Sequence, residues 1–183
     1  MELIHSVDND VVKTTLKTNY YGTLQMTQEF LPLIRPGGRL VNVASSSGIL
    51  ISYSESLKKA ITEASRTSVR ACTELMEKFT ADVQANRQKA EGWPSAAYAV
   101  SKAGEIAFTK TIAMEHEKNG GKVLVNACDP GWVNTDMTKG KGPLTVDEGA
   151  ATPVFLALGE FGGHSGGFWK NERLAEWCPS LGI

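Results

Sequence analysis

The sequence predicts an α/β fold built on a parallel sheet. Short β-branched runs, "RLVNVAS" (39–45) and "KVLVNACDPGW" (122–132), alternate with long stretches of helical periodicity. Strands separated by helices of that length imply helical crossovers. The bulk numbers agree: 183 residues, 42% hydrophobic and 21% charged, suit one globular domain with a real core.

The elements follow in order. Residues 8–34 predict a helix, with Asp8 or Asp10 as cap and Val12, Leu16, Tyr20, Leu24, Thr27 and Leu31 at helical spacing. "RPGG" (35–38) ends it, and "RLVNVAS" reads as a buried strand opening into a Ser/Gly loop. Residues 54–90 are polar and rich in helix formers, a helical insertion. Its stripe of Val69, Cys72, Met76, Phe79 and Val83 reads as a packing face. Residues 91–121 hold a second long helix, with Ser95 as cap and "NGG" as stop. After the strand at 122–132, Thr145 and Glu148 form a capping box for a helix at 145–160 that contains Pro153. "GGFWKNE" (166–172) is the last candidate strand.

Composition removes several function classes. The net charge is −1 with no basic cluster, which argues against nucleic acid. No apolar run approaches the roughly 20 residues of a membrane span. "MELIHSVDND" lacks the basic and apolar parts of a secretory leader. Cys72, Cys128 and Cys178 are odd in number and far apart, and His5, His116 and His164 have no ligand spacing. Free thiols in a reducing compartment, the cytoplasm, are expected, with no metal.

The chemistry-bearing stretch is "SAAYAVSKAG" (95–104). Tyr98 and Lys102, four apart, share one helix face. An ammonium beside a phenol favours the phenolate, and such a tyrosine can pass a proton near neutral pH. The spacing alone also suits a solvated helix surface; the neighbours shift the balance. Small residues surround the pair. "NVASSSG" puts three hydroxyls at the C-terminal end of one strand. "DPGWVNTDM" puts Pro130, Gly131 and Thr135 at the end of the next. Ligands of open α/β sheets bind at that edge.

These motifs resemble the short-chain dehydrogenase/reductase family. "YAVSK" matches its YxxxK signature, "NVASSSG" its serine segment, "TNYYGT" (18–23) its asparagine helix and "NACDPGWVNTDM" its Pro-Gly segment. The four occur in the family's order. "EGWPSAAY", "PGWVNTDM" and the insertion are similar to the monomeric carbonyl reductase subgroup.

The resemblance implies the roles. Tyr98 would protonate the nascent alkoxide, and Lys102 would tune it and bind the nicotinamide ribose. Ser45, chosen over Ser46 and Ser47 by its spacing to Gly48, would hydrogen-bond the substrate carbonyl. Ser45 and Tyr98 together would face the developing oxyanion. Asn19 would hold a water that passes protons to Lys102. Pro130, Gly131, Val133 and Thr135 would contact the nicotinamide end. Trp132 would line the substrate pocket, with core packing as the alternative. The subgroup implies NADP (NADPH), with NAD still open, small aldehyde, ketone or quinone substrates, and a monomer whose insertion covers the surface other members use to assemble and closes one side of the pocket.

The family's glycine-rich turn, TGxxxGxG, and its NNAG segment have no counterpart here. The expectation is therefore a single incomplete Rossmann-type domain over 1–183. It would be the C-terminal part of a doubly wound parallel sheet, with the insertion at about 54–90. Two readings stand: an NADPH-dependent carbonyl reductase, or a truncated, inactive fragment. In the second, "RLVNVAS" would offer an apolar edge to another chain.

Overall fold

A computed structural model describes residues 7–183. Residues 1–6, which hold His5 and most of the stretch read for a leader, lie outside the described residues.

The first helix starts at the expected cap. The Asp8 carboxylate accepts hydrogen bonds from the backbone N–H of Asp10 and Val11, satisfying two orphan donors. The helix runs as α1 (Asn9–Thr15), a π-helical segment (Leu16–Gly22) and α2 (Thr23–Phe30). Apolar periodicity reads this stretch as one α-helix and does not reveal the π segment. Leu16 and Tyr20 are buried within it.

The sheet has the order β1-β2-β3-β4. β1 (Arg39–Val43), β2 (Leu124–Asp129) and β3 (Phe168–Lys170) are parallel, as predicted. β4 (Arg173–Leu174) is an unpredicted antiparallel addition. Asn171 and Glu172 join it to β3, both at positive φ, as a type I′ hairpin requires. Their pair lacks the glycine that marks such turns, so the sequence carried no hairpin signal. β1 is an edge strand among the described residues, as the incomplete-sheet expectation had it, and one expectation is corrected: Val43 is 47% exposed rather than buried. No described strand covers its outer side.

Side chains alternate across the sheet. Leu40, Val125 and Ala127 join the main core, while Val41 and Cys128 join a smaller cluster on the opposite face. The insertion forms α3 (Glu55–Thr67) and α4 (Val69–Gln84). α5 (Ala97–Lys118) lies on the first face of the sheet, and α6 (Val146–Leu158) packs on the second through Leu156. The predicted Thr145–Glu148 capping box opens α6. Asn42, buried on β1, accepts from Thr27 of α2 and donates to Thr109 of α5. That side chain ties one strand to two helices.

Both helices of the insertion pack against α5. Cys72, Met76, Phe79 and Val83 are buried, so the stripe is a packing face. α5 is thus enclosed by helices and sheet over most of its length, which matches the small and apolar residues of its first four turns. Ser95 does not cap it. The helix starts one residue too late, with Ala96 at the N-cap and no side-chain bond there. Gly120, at positive φ, follows the Asn119 C-cap as expected.

Candidate active site

The C-terminal ends of β1 and β2 meet α5, and the contacts there are specific. Lys102 donates from Nζ to the backbone carbonyl of Val43, the last residue of β1, at 3.0 Å. Gly48 seats the serine loop on the same turn of α5. A Cβ at this glycine would lie 2.6 Å from the Lys102 carbonyl carbon and 2.7 Å from the Ala103 nitrogen, so no larger residue fits.

The serine loop has distinct jobs for its hydroxyls. Ser45 Oγ accepts from the Ser47 backbone N–H at 3.1 Å, which leaves its own proton free to donate. Ser46 Oγ hydrogen-bonds the Asp129 carboxylate and accepts from Lys170 Nζ at 2.9 Å. Ser46 is therefore occupied in holding the ends of β1, β2 and β3 together. Ser47 is exposed and lines a cavity of about 480 Å³ with Ile49, Tyr53, Trp93, Pro94 and Ala99. The flanks of the insertion, Ser52–Tyr53 and Trp93–Pro94, form its wall, not α3 and α4 themselves.

The π segment reaches the same place. Asn19 Nδ2 donates to Ser101 Oγ at 3.0 Å. Close approach is possible because Gly104 faces the Tyr20 ring, where an added Cβ would sit 2.7 Å from ring carbon. π turns widen a helix and are frequent at functional sites. Tyr98 is half-buried, one helical turn before Lys102, whose Nζ lies 5.7 Å from its ring centroid.

The loop after β2 is held by Asp129, whose Oδ1 accepts from the Gly131 N–H at 3.1 Å. Gly131 has positive φ. Val133 is half-buried and pairs with Leu144, while Thr135 is exposed and caps a short turn at Asp136–Thr138. Trp132 is 55% exposed and lies outside the cavity lining, so the core-packing alternative is removed.

Three groups were not legible as site residues. Glu105, 1% exposed, has Oε2 at 3.0 Å and Oε1 at 2.9 Å from Lys102 Nζ. Burial pushes its carboxyl up to about 7, although the Lys102 charge and hydrogen bond pull it down. Asp129 anchors two loops, and Cys128 beside it is pushed up to about 12 by burial, with Asp129 adding to the rise and Lys102 opposing it. The available signals were an acid inside the apolar run "AGEIAF" and an acid closing an apolar strand.

Comparison with known proteins decides the family. A short chain dehydrogenase family model matches residues 83–143. The chain is 41% identical over 150 residues to carbonyl reductase (NADPH) 3 of Rattus norvegicus, covering 80% of this chain and 54% of that protein. It is 39% identical over 171 residues to carbonyl reductase (NADPH) 1 of Homo sapiens, covering 90% and 61%. The chain belongs to the short-chain dehydrogenase/reductase family. Salutaridine reductase from Papaver somniferum superposes with a TM-score of 0.80 at 31% identity, covering 89% of this chain and 56% of that one. A carbonyl reductase from chicken fatty liver, in an NADPH-bound structure, shares the fold at a TM-score of 0.57 and 20% identity, covering 91% and 57%. The chain thus spans a little over half the length of these relatives. The α/β architecture is that of the short-chain dehydrogenase/reductase family's Rossmann-like sheet.

Proposed function

We propose that this chain carries the catalytic portion of an NADPH-dependent carbonyl reductase, folded as one Rossmann-type unit. One observation carries the reading. Lys102 is held at the end of β1, and the Ser45 loop is seated through Gly48 on the same turn of α5, one turn after Tyr98.

The residues present fit the nicotinamide end of the cofactor. Lys102 has a donor left for the ribose, and Pro130, Gly131, Val133 and Thr135 belong to the loop at the adjoining strand end. Among the described residues, no glycine-rich turn joins a strand to a helix for a pyrophosphate. When bound, NADPH supplies the hydride. The chain's own residues do the rest. Ser45 donates its free hydroxyl proton to the substrate carbonyl oxygen and orients it. Tyr98 gives its phenolic proton to the same oxygen as charge develops there. Lys102 steadies the phenolate left behind, and Asn19, fixed by Ser101, stands behind the lysine in the proton path.

Tyr53 and Trp93 give the adjoining cavity aromatic walls, which suit flat aldehydes, ketones and quinones. The packing of α3 and α4 on α5 supports a monomer. The three cysteines are free and buried, which fits the reducing cytoplasm. No described helix is long and apolar enough to cross a membrane.

The test is direct. The chain is titrated with NADPH by fluorescence and assayed on a reactive dicarbonyl. Tyr98→Phe is expected to lower kcat by at least about 100-fold while leaving NADPH affinity within about twofold. No NADPH binding at millimolar concentration overturns the reading. A second reading, a non-catalytic chain that pairs through an open edge, is favoured by the uncovered side of β1.

A further inference from the structure

Glu105 has no part in the chemistry above, yet it is the most enclosed charged residue near it. Its side chain is 1% exposed. Oε2 accepts from Lys102 Nζ at 3.0 Å. Oε1 lies 2.9 Å from the same nitrogen but lacks an aligned hydrogen bond. Both oxygens therefore depend on one ammonium. Such a pair seldom repays its desolvation compared with apolar residues of the same volume. Its presence calls for a role beyond packing.

The geometry of Lys102 supplies that role. An ammonium has three donors and no acceptor. One goes to the Val43 carbonyl at 3.0 Å, and one to Glu105. We propose that Glu105 is a positioning residue for Lys102, fixing the ammonium between two acceptors so that a single N–H remains for the cleft. Its negative charge also offsets the lysine's field at Tyr98, whose ring centroid is 5.7 Å from Nζ. The elements packed on α5 bring other ionisable groups: Lys58 of α3, Cys72 of α4, Tyr20 of the π segment, and Cys128 and Asp129 of β2. The Lys102 charge and hydrogen bond oppose the effect of burial on Glu105.

The catalytic meaning of this inference rests on the reductase reading, but its first test does not. Native chain, Glu105→Gln and Glu105→Asp are acetylated at pH 8 under competitive conditions, and labelling at Lys102 is read by peptide mass spectrometry. Lys102 is expected to react at least about tenfold faster in Glu105→Gln than in the native chain, with Glu105→Asp between them. Equal rates in folded native and Gln variants overturn the proposal, whether or not the chain turns over. Should the Gln variant fail to fold, Lys102→Met provides the reverse measurement. The Glu105 carboxyl, followed by carbon-13 NMR, is expected to titrate higher without its ammonium; an unchanged titration overturns the proposal. In turnover with NADPH, Glu105→Gln is expected to move the alkaline limb of the pH–rate profile down by about one unit, with KM within about twofold. A profile that does not move in an active chain also overturns it. A native chain that never turns over defeats the reductase reading, while the labelling rates still decide the role of Glu105.

Discussion

The two sides of β1 are built on opposite terms. On its inner side and at its C-terminal end, polar groups are tied to neighbours: Asn42 to Thr27 and Thr109, the Val43 carbonyl to Lys102, and the serine loop to α5 through Gly48. On its outer side no described strand pairs, and the helices that meet β1 expose Met26, Phe30, Leu33, Val154 and Leu158. The closed side is specified atom by atom. The open side has no described pairing strand, and Val43 at its end is 47% exposed. The difference separates the side proposed for chemistry from the side left available for association, and each side can be perturbed without the other.

The largest effect is expected from the closed side, through pH. Glu105 titrates near 7 in the folded chain, against an ordinary value of 4.5. Between those values the folded chain keeps a proton that the unfolded chain has lost. Stability therefore falls as pH rises through that window, and the full cost is present above about 7. Relative to Glu105→Gln, the native chain should lose about 3 kcal/mol between pH 4.5 and pH 7.5. Urea unfolding of both proteins at the two pH values checks this. Parallel curves would mean that Glu105 stays charged throughout, and that the closed side tolerates a buried carboxylate at no cost.

The next effect is steric. Gly48→Ala puts a methyl against backbone of α5 at 2.6 Å, where no flexible side chain can yield. A loss of about 2 kcal/mol is expected from such overpacking. Because the displaced loop carries Ser45, kcat should fall together with stability. Thermal melts and steady-state rates on the same preparation check both. A stable Gly48→Ala chain with unchanged kcat would show that the serine loop is not held by its seat on the helix.

These contrasts mark how far the sequence could be read. The strands at 39–45 and 122–132 were legible because β-branched runs end in Ser/Gly or Pro-Gly loops. α5 was legible from its length and its stop at Asn119 and Gly120. The motif order pointed to Asn19, Ser45, Tyr98 and Lys102, and the structure brings their segments to one turn of α5. What stayed hidden depends on three-dimensional neighbours. The π segment keeps helical periodicity in Leu16 and Tyr20, so its change of hydrogen bonding leaves no trace in spacing. The β3–β4 hairpin uses Asn171 and Glu172 without glycine. Glu105 three residues after Lys102 looks like an ordinary i,i+3 surface pair until its burial is known. Ser95 illustrates the opposite error: the right residue type for a cap, one position from where a cap was needed.

The smallest effect is expected on the open side, and it decides between the two readings of the chain. Leu33, in the turn that precedes β1, and Leu158, at the end of α6, are 77% and 79% exposed. Replacing both with serine removes no core contact, so stability should stay within about 0.5 kcal/mol of the native value. An edge that templates pairing should nevertheless lose affinity for a second strand-bearing chain when its apolar flanks become polar. Sedimentation equilibrium across a concentration series is the measurement. On the edge-pairing reading the native chain self-associates and the double variant does so less; on the monomer reading both sediment as single chains. An unchanged mass in both would mean that the outer side of β1 does not pair with another copy. The uncovered strand would then lose its value as support for the non-catalytic reading, and the proposed chemistry on the closed side would stand as the better supported of the two.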